Sequence, residues 1–215
     1  MITVIIPCWK RFTNFERVIQ SWLNQEEVNQ VIIWDNSGSF KTELPVLVIS
    51  SSQNLGPIAK FCLAQLAKND LILYADDDVV AKLGFVKDLM KYWKKDRMIG
   101  IHGRKFTGTK YYDSSMYAGN KIQEPIKVDY LCGLLMLASK EHSLSVDLSK
   151  CPNWFLIEDW WWQRELGIEL WLIPSKNYEY LPESSDKYAL HQTPEIRVIR
   201  EEYYKKWILE GSKNA

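Results

Sequence analysis

The stretch Leu71-Ile-Leu-Tyr-Ala-Asp-Asp-Asp78 decides the fold of this chain of 215 residues. Its first five residues have no polar face, which predicts a parallel strand covered by helices on both sides of a sheet. Three carboxylates follow directly, and ligands of open α/β sheets bind beyond the carboxyl ends of the strands. Adjacent carboxylates repel one another unless a cation neutralises them. The stretch predicts an α/β protein with an acidic ligand site; a solvated acidic turn is the alternative for the triplet alone.

The chain before this stretch alternates between strand and helix patterns. Ile2–Ile6 is a β-branched run that predicts a strand. Val31–Trp34 predicts a second strand, and Gly56-Pro57 predicts a helix start because proline is favoured at the first helical position. This alternation predicts a Rossmann-like nucleotide-binding half over residues 1–104, with a mostly parallel or mixed sheet.

The rest of the chain is less regular. Val128–Ala138 predicts one long buried strand, and a helix is expected from about Glu158 to just before Gly167. Thr193-Pro194 predicts the start of a last amphipathic helix. Residues 105–215 are interpreted as the second half of a single domain that spans residues 1–215.

Composition excludes several classes of protein. Lysine plus arginine and aspartate plus glutamate each number 27, so no global field favours a polyanion, and a nucleic-acid partner or a nuclease activity is disfavoured. Met1–Pro7 lacks the features of a signal peptide, and the longest apolar stretches, such as Leu131–Ala138, are too short to span a bilayer. The four cysteines form no Cys-x-x-Cys pair, which indicates free thiols in a reducing compartment. We expect a cytoplasmic protein without a transmembrane segment.

Residues with nucleotide-compatible chemistry follow each predicted strand of the first half. Asp76 and Asp78 are two apart, so both can serve one hard divalent ion, directly or through water. Asp35-Asn36 can meet a ribose hydroxyl or a base edge, although an ordinary turn is the alternative. Further candidates at the same edge are Pro7, Trp9 (for stacking on a base), and Arg11 and Lys60 (for a phosphate).

These motifs together resemble the nucleotide-sugar half of GT-A-fold glycosyltransferases. They are Val4-Ile-Ile-Pro7, Ile32-Ile-Trp-Asp-Asn36, Gln53-Asn-Leu-Gly56 and Tyr74-Ala-Asp-Asp-Asp78, the last of which is similar to the DxD motif. In the second half, Tyr130-Leu-Cys-Gly133 resembles the donor-sugar and acceptor segment, and Ile157-Glu158-Asp159 resembles the catalytic Glu-Asp element. The likeness is closer to exostosin-like and family-2-like transferases than to cellulose-synthase-like ones. It extends to the glycosyltransferase domains of chlorovirus proteins that decorate the capsid.

The resemblance implies a metal-dependent hexosyltransferase, with Mn²⁺ or Mg²⁺ as cofactor, a UDP-sugar as donor and a glycan or glycoprotein as acceptor. The donor residues that it implies are Pro7, Trp9, Arg11, Asp35, Asn36, Lys60, Asp76, Asp77, Arg104 and Gly133. The metal ligands that it implies are Asp78, Asp76 and His191. Two departures stand out: Asn36 replaces a second aspartate after the second strand, and no Gln-x-x-Arg-Trp element follows Asp159, which disfavours a processive polymerase.

Asp159 is the residue that the resemblance places beside the anomeric carbon. In an inverting enzyme it is the general base for the acceptor hydroxyl; in a retaining one it steadies the transition state. Acidic residues that complement the helix dipole are the alternative for Glu158-Asp159. Trp160, Trp161 and Trp162 point about 100° apart on a helix, so at least one is expected to face the cleft or solvent as an acceptor platform with Glu158; a thick core is the alternative.

Two other functions remain open from the sequence. A nucleotidyltransferase that makes sugar nucleotides would have a glycine-rich loop after the first strand, where Pro7-Cys-Trp-Lys-Arg11 contains no glycine. A non-catalytic nucleotide- or glycan-binding module would keep the strand-end pockets without needing Asp159. The chain ends in Gly211-Ser-Lys-Asn-Ala215, which is typical of a linker to further domains. The donor sugar, the acceptor linkage, the stereochemical course and the oligomeric state are left open.

Overall fold

The computed structural model describes residues 1–185 and 187–211; the last four residues of the predicted linker, 212–215, lie outside the described residues. The strands are β1 (Ile2–Cys8), β2 (Val28–Asp35), β3 (Leu47–Ser50), β4 (Leu71–Ala75), β5 (Val79–Ala81), β6 (Arg97–Gly100), β7 (His102–Lys105), β8 (Ser115–Ala118), β9 (Ile126–Val128), β10 (Tyr130–Leu131), β11 (Leu135–Ser139), β12 (Glu169–Leu172) and β13 (Tyr178–Tyr180). The α-helices are α1 (Phe15–Leu23), α2 (Ala59–Cys62), α3 (Phe85–Tyr92), α4 (Lys140–Ser145), α5 (Glu158–Leu166) and α6 (Ile196–Gly211). None of the helices in those ranges is both long and apolar enough to cross a bilayer.

One central mixed sheet organises the described residues. Its eight strands lie in the order β3-β2-β1-β4-β11-β6-β12-β9. β3, β2, β1 and β4 run parallel to one another, whereas β11 is antiparallel to both β4 and β6. The pairing of Ile5 with Tyr74 brings the carboxyl ends of β1 and β4 to the same edge. The α/β class predicted from the sequence is confirmed.

Both faces of the sheet are covered, as the apolar runs predict. All seven residues of β1 are buried. Its alternate side chains enter different cores: Val4 and Ile6 pack in one, and Ile5 packs in the other. Because successive side chains of a strand point to opposite faces, β1 is apolar on both faces except at Thr3, whose buried hydroxyl donates to Gln30 Oε1 (2.8 Å).

The predicted strand over residues 128–138 is wrong, because the chain leaves the sheet in its middle. β10 ends at Leu131 and β11 begins at Leu135. In the interruption, the Gly133 N–H donates to Asp159 Oδ2 (3.0 Å) instead of to a neighbouring strand. A Cβ atom on residue 133 would lie 2.9 Å from the same oxygen, so only glycine fits this close approach.

The three consecutive tryptophans of α5 are all buried. Trp160, Trp161 and Trp162 are 2%, 7% and 0% exposed, so the prediction that at least one faces the cleft or solvent is wrong. Elements pack on α5 from opposite sides: Trp162 stacks on Phe61 (ring centroids 4.2 Å apart), and Trp160 contacts Tyr111 (5.1 Å). The thick core is therefore the correct interpretation, and none of the three tryptophans is exposed as a platform for the acceptor.

We expect Trp162→Ala to lower the free energy of unfolding by about 3–5 kcal/mol, because it removes a fully buried ring from a stacked pair. Trp154→Ala is the matched control, since Trp154 is 45% exposed, and its effect should stay within about 0.5 kcal/mol. Urea unfolding of both variants measures the difference. Equal losses in the two variants would contradict the core assignment.

Candidate active site

A cleft of about 520 Å³ opens where β1 and β4 end. Residues from both predicted halves line it. The predicted site residues among them are Pro7, Trp9, Arg11, Asn36, Lys60, Asp76, Asp77, Asp78, Arg104, Gly133, Glu158, Asp159 and His191. The structure thus brings most of the predicted donor, metal and catalytic residues to one cavity.

Asp35 is the predicted donor residue that does not line this cavity. Its side chain is fully buried, and it closes the turn after β2: Oδ1 accepts from the Ser37 N–H (2.8 Å) and Oδ2 from the Phe40 N–H (2.8 Å). Burial raises the pKa of Asp35, but these hydrogen bonds outweigh it and hold the pKa below its ordinary value. The turn engages both carboxylate oxygens, and the contact of Asp35 with the nucleoside stays a prediction.

Asn36 does line the cleft, and it also shapes the cleft wall. Its Oδ1 accepts from the Leu55 N–H (2.9 Å) and from the Trp34 indole N–H (3.0 Å), and its Nδ2 donates to the Gly56 carbonyl (3.3 Å). The side chain ties the end of β2 to the loop that begins α2. An amide can do this because it donates and accepts, whereas an ionised aspartate only accepts.

The aspartate triplet is compensated by a cation from the turn after β1. Lys10 adopts a left-handed conformation (φ 60°), which is uncommon for a residue with a side chain. The next residue, Arg11, places Nη1 2.9 Å from Asp77 Oδ1 and 2.9 Å from Asp78 Oδ2. Burial raises the pKa of Asp77 to about 7 and that of Asp78 to about 6, with Arg11 opposing both shifts.

Asp76 and Asp78 supply some of the oxygen ligands that a divalent cation needs. Asp78 Oδ1 is buried without a hydrogen-bond partner, and the Asp76 side chain is 28% exposed toward the cleft. Such free carboxylate oxygens are the donors that Mn²⁺ and Mg²⁺ take. Over residues 1–185 and 187–211 there is no group of three or more His, Cys, Asp or Glu placed to hold a metal. His191 lines the cleft but does not complete a three-ligand protein site with the two aspartates.

Lys60 links the acidic triplet to the second half. This side chain is 1% exposed, and its Nζ lies 3.0 Å from Asp76 Oδ1 and 2.8 Å from the Gly133 carbonyl oxygen. Burial lowers the pKa of Lys60, but the surrounding carboxylates, Asp76 first, raise it overall. A charged lysine is therefore fixed beneath the cleft floor.

Glu158 and Asp159 sit at the start of α5 in contrasting environments. Asp159 Oδ2 accepts from the Tyr130 hydroxyl (2.5 Å) and the Gly133 N–H (3.0 Å), whereas Oδ1 accepts only from the Trp160 N–H (2.8 Å) within hydrogen-bond distance. Glu158 Oε2 has no partner, and burial, followed by the charge of Asp159, raises the pKa of Glu158 well above its ordinary value. Asp159 is therefore the carboxylate whose orientation is fixed, and its Oδ1 can accept a further hydrogen bond.

Two residues beside Asp159, Tyr130 and Arg200, are not among the site residues predicted from the sequence. Tyr130 lies in a motif that was recognised, but nothing in that motif assigns a role to its hydroxyl. Arg200 lies on the predicted apolar face of α6, one turn from Ile196 and Tyr203. A charged residue on an apolar helix face was the available signal, because such a charge needs a partner inside the protein.

The apolar rim of the cleft was missed as well. Met116, Tyr188 and Leu190 line the cavity while remaining 56%, 37% and 37% exposed. They come from β8 and from the segment before α6, which are distant in sequence. No periodicity connects them, so only the folded chain shows that they form one wall.

Comparisons with known proteins agree with this fold. The model of Glycosyl transferase family 2 matches residues 3–139, more than half of the chain. The crystal structure of GalNAc-T7 with UDP, GalNAc and Mn²⁺ is similar (TM-score 0.61, 13% identity) over 84% of this chain and 44% of that one. S. aureus TarS 1–349 is similar over 95% of this chain and 67% of that one (TM-score 0.62, 15% identity). Its complex with UDP-GlcNAc is similar over 89% and 61% (TM-score 0.64, 13% identity).

The likeness to these structures concerns the fold, and this chain spans less than half of GalNAc-T7 and about two thirds or less of the TarS chains. A search of curated proteins found no match to the sequence. The family match includes the aspartate triplet and the Gly133 segment. The chain belongs to glycosyl transferase family 2.

Proposed function

We propose that this chain transfers a sugar from a UDP-sugar to a hydroxyl group of a glycan or glycoprotein, with Mn²⁺ or Mg²⁺ as cofactor. The observation that carries the proposal is the oriented Asp159 carboxylate in the same cleft as the acidic triplet. Residues 1–104 hold the nucleotide in this proposal, and residues 105–215 hold the acceptor. The GalNAc-T7 structure contains UDP and Mn²⁺ and a TarS structure contains UDP-GlcNAc, which supports this class of donor.

The proposed reaction needs a proton acceptor beside the attacking hydroxyl. Asp159 suits this role because Tyr130 and Gly133 fix Oδ2, which leaves Oδ1 with a single hydrogen bond. A fixed carboxylate needs little reorganisation when it takes a proton. If the enzyme retains configuration, the same oxygen faces the positive charge that develops on the sugar ring.

The departing nucleoside diphosphate gains negative charge as the glycosidic bond breaks. Asp78 and Asp76 would hold the divalent cation, which supplies electrostatic stabilisation of that charge when bound. Arg11 and Lys60 already pair with the acidic triplet from two sides, and two cations leave part of the charge of three carboxylates for a divalent cation to balance. Trp9 and Asn36 border the part of the cleft that we assign to the nucleoside.

The acceptor side is assigned to the exposed rim of Met116, Tyr188 and Leu190 in place of the buried tryptophans. Apolar and aromatic surfaces match the apolar face of a pyranose ring. Glu158 stays on this side as a cleft residue with an unpaired oxygen. The hexosyl specificity, the cytoplasmic location and a viral capsid acceptor stay predictions from the sequence.

We expect Asp159→Asn to lower turnover by about 10²- to 10⁴-fold, because the amide cannot accept the proton. The affinity for UDP, measured by calorimetry, should stay within about twofold. Glu165→Gln is the control, since Glu165 lies on the same helix and is exposed. Unchanged turnover in Asp159→Asn would remove the catalytic role of this carboxylate.

Removal of the divalent cation tests the donor site. With excess Mn²⁺ and UDP at about 100 times its dissociation constant, we expect stabilisation of about 2.7 kcal/mol against unfolding. EDTA or the variant Asp78→Asn should abolish most of it, whereas Asp96→Asn, an exposed control, should not. Thermal denaturation reports the shift. A UDP-dependent shift that persists in EDTA would contradict metal-assisted binding.

A donor panel separates the proposed enzyme from a non-catalytic binding module. UDP-GlcNAc, UDP-GalNAc and GDP- and TDP-sugars are incubated with the chain and Mn²⁺, and release of the free nucleoside diphosphate is measured. We expect slow hydrolysis of at least one UDP-sugar, because water can replace the acceptor hydroxyl at Asp159. Binding of UDP without any hydrolysis in the wild type would support the binding module.

A further inference from the structure

Arg200 connects α6 to the start of α5 through three divergent contacts. Its Nε donates to the Leu156 carbonyl (2.9 Å), its Nη1 donates to the Tyr111 hydroxyl (3.0 Å), and its Nη2 lies 3.8 Å from Asp159 Oδ1. These groups belong to two separate segments of the second half, one around Tyr111 and one at the start of α5. A planar guanidinium can reach all three because its donors point in fixed, different directions.

The surroundings of Arg200 are those of a charge held inside the protein. Its side chain is 19% exposed, and its guanidinium carbon lies 5.8 Å from the centre of the Tyr111 ring and 6.0 Å from that of Tyr130. Tyr130 is the residue whose hydroxyl donates to Asp159 Oδ2. Arg200 therefore contacts both the carboxylate and the ring that orients it.

The neighbouring residue, Glu201, strengthens this attachment. Glu201 Oε2 accepts from the Tyr111 N–H (2.9 Å), so consecutive residues of α6 hold Tyr111 at its backbone and at its hydroxyl. α6 is thereby attached to the wall of the cleft, although it lies near the end of the described chain.

We propose that Arg200 is a positioning residue that holds Asp159 with Oδ1 turned toward the cleft, an inference that rests on the proposed function. Arg200 lies beyond hydrogen-bond distance of Oδ1, so it orients the carboxylate without occupying the lone pair that takes the proton. It fixes the turn at Leu156, which sets the direction of α5, and it supplies a positive charge beside the carboxylate.

The positive charge of Arg200 should affect the pH dependence of kcat. Other groups also face Asp159: Lys60 from α2, Tyr130 and Cys132 from the interrupted strand, Tyr111, Cys151 and, on α5 itself, Glu158. Lys60 is the cation in this set, and like Arg200 it favours the ionised carboxylate. Loss of Arg200 should therefore move the acid limb of the kcat profile to higher pH.

The test compares Arg200→Met and Arg200→Lys in hydrolysis of the UDP-sugar that reacts fastest in the panel. For Arg200→Met we expect kcat to fall about 10- to 100-fold, the donor KM to stay within about twofold, and the acid limb to move to higher pH. Arg200→Lys keeps the charge but not the three contacts, so kcat should fall at least about fivefold with the acid limb in place. Arg197→Met is the control, because Arg197 lies one turn earlier, is exposed, and should retain wild-type kcat.

Three results would overturn the proposal. These are a kcat within twofold of the wild type in both Arg200 variants, a fall in kcat with an unmoved acid limb in Arg200→Met, and a donor KM that rises as much as kcat falls. If Arg200→Met does not fold, the rate and pH profile of Arg200→Lys decide the outcome alone.

A double variant separates this inference from the proposed function. In the Asp159→Asn background, Arg200→Met should change kcat by less than about twofold, because both residues act through the same carboxylate. A further large fall in the double variant would count against Arg200 acting through Asp159. If Asp159→Asn alone keeps full turnover, the proposed function fails first, whatever the Arg200 variants do.

Discussion

The cleft depends on the compensation of three consecutive carboxylates at the end of β4, a strand whose last four residues are buried. A buried charge costs several kcal/mol unless it is paired and hydrogen-bonded. Arg11 reaches Asp77 and Asp78 from the turn after β1, and Lys60 reaches Asp76 from α2. The chain around the triplet is shaped by this need, since Lys10 takes a left-handed conformation before Arg11. The cations that make the acidic edge tolerable also form the floor of the cleft.

The same compensation joins the two halves of the chain. Lys60 donates to the Gly133 carbonyl as well as to Asp76, and the Gly133 N–H donates to Asp159. One glycine therefore stands between the acidic triplet and the proposed reactive carboxylate. The strand is interrupted at residues 132–134, where the peptide groups of Gly133 bond to Lys60 and Asp159 instead of completing the sheet. The interruption and the geometry of the candidate site are one structural feature.

The outcome of the sequence predictions follows from the range of the forces involved. The pattern at Leu71–Ala75 predicted a strand with the observed bounds, and the Glu158 to Gly167 pattern predicted α5, because periodicity and helix-end signals are local. The unbroken strand over 128–138 was wrong, because an apolar run does not show which backbone groups bond elsewhere. The expectation that one of the three tryptophans faces the cleft or solvent failed for a similar reason, because the packing of α6 on α5 is decided by chain segments that meet only after folding.

The sequence by itself determined the α/β class, the strand that presents the aspartates, and the Glu158-Asp159 pair. Each of these depends on residues that are neighbours in the sequence, so their spacing is enough to predict it. Only the tertiary structure decided which charges meet. Arg11, Lys60 and Arg200 are separated from their carboxylate partners by 16 to 67 residues, and no local pattern specifies such pairs. Their partnership is set by the parallel pairing of β1 with β4 and by the docking of α6, which bring distant charges together in a low-dielectric interior where each requires the other.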